Sequence, residues 1–153
     1  MKKFIALILA LISLFALASC AEKTPDTPCM LEVDCTEAIE SGKLSNAELS
    51  YLPDDGKVIA KREVLFAEGE TVFDVLIREL QKDNIHYDFS TGSSKKNKYI
   101  RAIANLYRLE PDDYSGWSYY VNGELPTTAA SEYKLTEGDE ILFIFIEDFT
   151  KAE

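Results

Sequence analysis

The chain has 153 residues, with 16 Lys and Arg against 27 Asp and Glu, and a formal net charge of −11 at pH 7. That length suits one domain with a genuine core. The acidic balance, with no Lys/Arg cluster dense enough to engage a phosphate backbone, excludes a nucleic-acid partner.

The N-terminus begins with Lys2 and Lys3, followed by an apolar run from Phe4 to Leu17 that only Ser13 interrupts. It ends in Leu17-Ala18-Ser19-Cys20. A membrane span needs about 20 apolar residues, and this run is shorter. Basic start, short apolar stretch and small residues before a cut make residues 1–19 a secretory signal peptide. The ending resembles a bacterial lipobox, which makes Cys20 the lipid-bearing (palmitate-type) N-terminus of the mature chain. Localisation follows: extracytoplasmic, lipid-anchored at the cell membrane or envelope. Residues 20–28, polar with Pro25 and Pro28, read as a lipidated stalk. The folded domain is expected over residues 29–149, with a tail at 150–153.

A first strand is expected over Cys29–Cys35. A six-residue offset along it separates the two thiols by about 20 Å, too far for a disulfide. They read as small buried apolar side chains. A short helix over Thr36–Ser41 follows, with Thr36 as its cap and Gly42 as its stop. Lys43–Leu52 is ambiguous. Pro53-Asp54-Asp55-Gly56 is a turn, and Lys57–Phe66 a second strand.

Thr71 to Asp83 is the clearest helix. Thr71 caps it, with Asp74 three residues on as its reciprocal partner. Phe73, Leu76, Ile77 and Leu80 form one buried stripe, and Arg78, Glu79, Gln81 and Lys82 face water. Ile85–Phe89 alternates as a strand, Ser90–Lys98 is a polar loop, and Tyr99–Leu106 is either a strand or an irregular buried segment. Glu110-Pro111-Asp112-Asp113 breaks the pattern.

Ser115–Val121 reads as a strand ending in the hairpin signal Asn122-Gly123. Trp117, Tyr119 and Val121 share its core face, and Tyr120 lies on the other. After Glu137-Gly138-Asp139, the last strand runs Glu140–Glu147 and is apolar at every position from Ile141 to Ile146. Such a strand belongs in the middle of a sheet covered on both sides. One long helix covers one side, so Thr36–Leu52, a ligand or a partner must cover the other.

No catalytic constellation is visible, so an enzyme is not expected. His86 is the one histidine, which leaves zinc-site spacing absent. Neither acidic cluster, Asp54-Asp55 or Glu110–Asp113, has the Asp spacing of a calcium loop.

Several runs carry a family resemblance. They are Glu68–Leu76 at the helix start, Tyr99–Ile103 with Asn105-Leu106-Tyr107, Ser115–Gly123, Ser131–Leu135, and Gly138–Ile141. Together they resemble the bacterial family DUF4430, which is similar to the C-terminal β-domain of transcobalamin and intrinsic factor. The resemblance covers roughly residues 29–148. It implies an α+β fold: a β-grasp-like mixed sheet with one main packed helix. It also implies a ligand-facing loop after the Asn-Gly turn, Glu124–Ser131. Tyr120, Leu125, Thr127, Thr128, Ala129 and Ser131 are the contacts it points to, and a cobalamin-like corrinoid is the bound ligand. No catalytic cofactor and no metal ligand is implied. The expected function is capture of that ligand, or its delivery to a membrane transporter or other envelope protein. The alternative is an adhesin-like envelope interaction module with no small-molecule ligand.

Overall fold

The computed structural model describes residues 24–92, 97–108 and 114–151. Six strands and three helices follow one another as β1 (Thr27–Asp34), α1 (Thr36–Glu40), α2 (Asn46–Leu49), β2 (Lys57–Phe66), α3 (Val72–Lys82), β3 (Tyr87–Thr91), β4 (Lys98–Ile103), β5 (Gly116–Val121) and β6 (Glu140–Ile146). Four strands form a mixed sheet in the order β2-β1-β6-β5. Its central pair, β1 and β6, is parallel, and both outer pairs are antiparallel. The first and last strands therefore lie side by side, and α3 packs across them. This is the mixed, β-grasp-like α+β arrangement expected. A separate ribbon, β3–β4, is antiparallel.

Strand alternation decides which residues meet the helix. Cys29, Leu31 and Val33 from β1 are buried together with Ile141, Phe143 and Phe145 from β6. Val72, Phe73, Val75, Leu76 and Leu80 of α3 fill the space above them. Burying side chains of this size is worth roughly 1.5–3 kcal/mol each. The ribbon lies against the same helix, with the Phe89 ring edge-on to Phe73 at 5.1 Å. As expected, β6 is central and apolar on both faces. Leu142 and Ile144 point away from α3 and are half-buried.

Helix α3 begins where its sequence says it should. Thr71 and Asp74 form a complete capping box, with the Thr71 amide donating to Asp74 at 3.0 Å and the Asp74 amide to Thr71 Oγ1 at 3.2 Å. Its polar face departs from expectation at Glu79, which is 4% exposed rather than facing water. Arg62, across the sheet in β2, reaches it at 3.1 Å and also holds Asp83 at 2.6 Å. Sequence periodicity along one helix cannot register a cation supplied by another element.

Three further local expectations are corrected, and two stretches left open are resolved. The sheet begins at Thr27, with the Asp26 amide already bonded to Phe66, so the stalk gives way to the fold before Cys29. Thr36 does not cap α1: the cap position is Cys35, with no side-chain bond, and the Thr36 amide and hydroxyl both donate to Asp34. Within the ambiguous Lys43–Leu52 stretch lies α2, started by a Ser45/Glu48 capping box. Asn122 and Gly123 do make a tight turn at φ 54° and 79°. The chain beyond Glu124 then leaves as a loop, and β5 pairs with the next strand, β6, only after that loop rather than directly across the two-residue turn. Of the two readings left open for Tyr99–Leu106, the strand is realised as β4. Glu110–Asp113 and Cys20 lie outside the described residues.

Candidate ligand-binding site

The loop from Leu125 to Ala130 borders a cavity of about 370 Å³ between β4 and the helix-side face of β5. That lies within the ~300–1,000 Å³ range of ordinary ligand sites. Leu125, Thr127, Thr128 and Ala129 form one wall, Tyr99 and Ile100 come from β4, and Trp117 and Tyr119 from β5. Leu125 is 60% exposed, an apolar side chain at the lip with little to pack against. Thr127 and Thr128 are also exposed. The lining thus combines apolar rings with a few hydroxyls.

The loop is pinned along its length. Tyr119 Oη donates to the Thr128 carbonyl at 2.6 Å, and burial pushes this phenol above its usual range, which keeps the proton in place to donate. The Phe73 amide donates to the Ala130 carbonyl at 3.0 Å, and the Val72 amide to Tyr133 at 3.0 Å. Those two amides open α3 and have no partner within the helix. The loop therefore serves as the helix's N-terminal partner, and the helix in turn fixes the loop. The Lys98 amide donates to Ser131 Oγ at 2.9 Å, joining β4 to the same segment.

A second interlock lies at the far side of the loop. Asp139, buried at 4% exposure, accepts from Asn122 Nδ2 at 2.9 Å and from the Thr136 amide at 2.9 Å. Asn122 Oδ1 accepts from the Glu140 amide at 2.9 Å. Two short motifs 15 residues or more apart, Asn122-Gly123 and Gly138-Asp139, are thus one structure that sets both ends of the loop.

The structure divides the residues singled out from sequence. Leu125, Thr127, Thr128 and Ala129 come together at the cavity. Ser131 stands behind it as a tie to β4. Tyr120 is on the wrong side: the pairing Tyr120↔Leu142 and Tyr119↔Phe143 sends it to the opposite sheet face. There it lines a separate groove of about 570 Å³, whose floor is Leu142 and Ile144 and whose rim is mainly carboxylates. Trp117, Tyr119, Tyr99 and Ile100 are the cavity residues missed from sequence. The alternation of β5 carried the signal for Trp117 and Tyr119, because the core face of an edge strand lines whatever the helix leaves uncovered.

Among the described residues, no three His, Cys, Asp or Glu side chains are grouped to hold a metal. His86 is exposed and lies just before β3, its ring 6.4 Å from that of Tyr107. Cys29 and Cys35 are both buried and unpaired.

The sequence profile DUF4430, a domain of unknown function, matches residues 69–147. This is just over half of the chain, from the α3 start to the end of β6. The chain belongs to the DUF4430 family. No curated protein matches the sequence significantly. The solved structures that share the fold of this DUF4430 protein include the following two. One is a protein from Ruminococcus gnavus ATCC 29149 described as a candidate metal binder, 14% identical, with a TM-score of 0.50 over 81% of this chain and 100% of the other. The other is haptocorrin in complex with Cbi, also 14% identical, with a TM-score of 0.54 over 86% of this chain. The DUF4430 chain spans only 28% of haptocorrin, so it corresponds to one part of that protein.

Proposed function

We propose that this DUF4430 chain is a membrane-anchored, extracytoplasmic binding lipoprotein without catalytic activity, and that it binds a cobalamin-like corrinoid for capture or delivery to an uptake system. The observation that carries the reading is the cavity beside Leu125–Ala130, bordered by a loop fixed through Tyr119, Phe73 and Lys98. A loop ordered before binding loses little freedom on binding, which favours affinity. Exposed threonine hydroxyls beside apolar rings suit a flat ligand fringed with amides. Fold kinship with haptocorrin, whose structure holds Cbi, supports the same direction. The contacts are Leu125, Thr127, Thr128 and Ala129, joined by Trp117, Tyr119 and Tyr99. Anchoring rests on the sequence pattern ending in Cys20.

Equilibrium titration of the purified protein with cobalamin and cobinamide, followed by the corrin absorbance, tests this. Saturable binding is expected, with Leu125→Asp weakening it about tenfold or more, or roughly 1.4 kcal/mol. A flat titration into the high micromolar range sinks the corrinoid assignment. For the anchor, Cys20→Ser is expected to shift the protein from the membrane fraction to the soluble fraction or to leave an unprocessed precursor. A mutant that remains mature and membrane-bound overturns it.

The alternative is an envelope interaction module with no small ligand. The groove on the opposite sheet face favours it, because Tyr120, Leu142 and Ile144 line it there, with Glu37 of α1 among the carboxylates at its rim. That reading expects corrinoid-independent, stoichiometric crosslinking to a partner that Leu142→Asp abolishes.

A further inference from the structure

The four-stranded sheet has two ends, and its register places each connection at one of them. At the first end lie Thr27 at the start of β1, Phe66 at the end of β2, Glu140 at the start of β6 and Val121 at the end of β5. At the second end lie Asp34, Lys57, Ile146 and Gly116. The seven residues of β6, at about 3.3 Å per residue, separate the two ends by roughly 20 Å.

Backbone bonds fasten the N-terminal approach to the first end. The Asp26 amide donates to the Phe66 carbonyl at 3.2 Å, the Met30 amide to the Asp139 carbonyl at 2.8 Å, and the Gly138 amide to the Pro28 carbonyl at 3.0 Å. Just before them, Thr24 and Pro25 share a recess with Ala67, Gly69 and Asp74 at the start of α3. The ligand loop belongs to the same end. It leaves β5 through the Asn122-Gly123 turn, where the Asn122 amide donates to the Glu140 carbonyl at 2.9 Å. It returns past the start of α3, where the Leu135 amide donates to the Glu70 carbonyl at 3.1 Å. The second end carries α1 and the 53–56 turn: the Cys35 amide donates to the Gly56 carbonyl at 2.8 Å, and the Glu147 amide to the Glu37 carboxylate at 3.1 Å.

Cys20 stands only four positions before Thr24. Fully extended, that stretch spans about 14 Å, less than the length of the sheet. A lipid on Cys20 therefore keeps the first end within this reach of the headgroups and leaves the second end free to stand away. Charge acts in the same direction. A body of net charge −11 is repelled by anionic headgroups over a screening length of about 8 Å at physiological salt, and only its tethered end is held against that repulsion.

We propose that the protein stands end-on on a lipid bilayer, with the start of β1, the start of α3 and the 124–131 loop as its membrane-facing surface and with α1 and the 53–56 turn pointing away. The inference rests on the reading of Cys20 as the lipid anchor and adds which surface meets the bilayer. It puts the ligand loop to work at the membrane, whatever the ligand is.

Six of the 7 glycines report the orientation. Gly69, Gly123 and Gly138 lie at the first end, and Gly42, Gly56 and Gly116 at the second. Isotope-labelled full chain is recovered from the membrane fraction, the Cys20 peptide is checked for lipid by mass spectrometry, and the protein is placed on nanodiscs of phosphatidylcholine and phosphatidylglycerol. Glycine amide signals are then compared with and without a lipid carrying a gadolinium chelate on its headgroup. The gadolinium lipid should erase the signals of Gly69, Gly123 and Gly138 and spare those of Gly42, Gly56 and Gly116. A second variant, with about 12 Gly and Ser residues inserted after Glu22, gains roughly 20 Å of reach outside the fold and should lose the difference. Equal losses at the two ends, a greater loss at the second end, or a difference that survives the insertion overturns the orientation and leaves the anchor standing. A Cys20 peptide without lipid overturns the anchor and the orientation together.

Discussion

Cys29 and Cys35 follow the parity of β1 and its continuation, and both end in the core as small apolar groups. Burial pushes the Cys29 thiol up to about 11, with Asp139 adding to the shift, and the Cys35 thiol up to about 12, with Asp34 adding to it. In the unfolded chain they ionise near the ordinary value of 9.0. Their contribution to stability is therefore complete below pH 9 and is lost as pH rises towards 12. The thiolate is the reactive form, so both cysteines should be inert in the native protein. Iodoacetamide at neutral pH, read by mass spectrometry, should label them only after denaturation; labelling of the folded protein contradicts the burial. At the same scale, Thr71 supplies both its side chain and its amide to the capping box. Thr71→Ala should cost about 1 kcal/mol in urea unfolding. Thr36 illustrates what residue type alone leaves open: a good capping residue is diverted because Asp34, two positions earlier, takes its amide and hydroxyl first.

The elements were legible in proportion to how strictly their periodicity held. The bounds of β2 match the sequence reading because turn residues frame it on one side and Ala67-Glu68-Gly69 on the other. Helix α3 was readable because its stripe and its cap agree. The short α1 and α2 carry too few turns for a stripe, so only the cap motif of α2 marks it. Turn glycines separate at this scale into two kinds. Gly42 and Gly56 both adopt positive φ, at 69° and 72°. A Cβ on Gly42 would meet nothing, whereas on Gly56 it would lie 2.6–2.8 Å from Thr36 atoms, backbone among them. Gly→Ala at either site costs more than about 1 kcal/mol through strain. Gly56→Ala should be clearly the worse of the two, because the start of α1 must also move. Urea midpoints that rank the two variants equally would show that the 53–56 turn gives way freely.

At the scale of the whole molecule, the sheet has two unlike sides. One holds the core, α3 and the loop cavity; the other holds an apolar floor ringed by charge. On that second side Lys57 bridges Glu32 at 2.8 Å and Asp34 at 2.6 Å, tying β2 to β1. Partial burial opposes ionisation of Asp34, but the hydrogen bonds from Lys57 and Thr36 outweigh it and hold the carboxyl below its usual 3.8. A depressed carboxyl adds stability above its unfolded value and loses it as pH falls through the folded one. Melting temperature should therefore drop on acidification below about pH 4. Asp34→Asn should lower stability at pH 7 and flatten that part of the acid dependence. An unchanged slope in the variant would mean the Lys57 bridge adds nothing net, as exposed pairs often do.

By itself, the sequence determined the class of fold, the central place of β6, the main helix with its cap, and the loop that borders the cavity. The place of β6 and the helix with its cap are written in local periodicity and a capping pair; the class of fold and the loop were what the family resemblance implied. Tertiary structure alone decided which aromatic of β5 joins that loop, because facing depends on which neighbour β5 pairs with. It also decided that Glu79 is buried, because Arg62 arrives from another strand, and that the start of β1 and the 124–131 loop share one end of the sheet. Those two segments lie far apart along the chain, and no spacing along a single segment encodes their meeting.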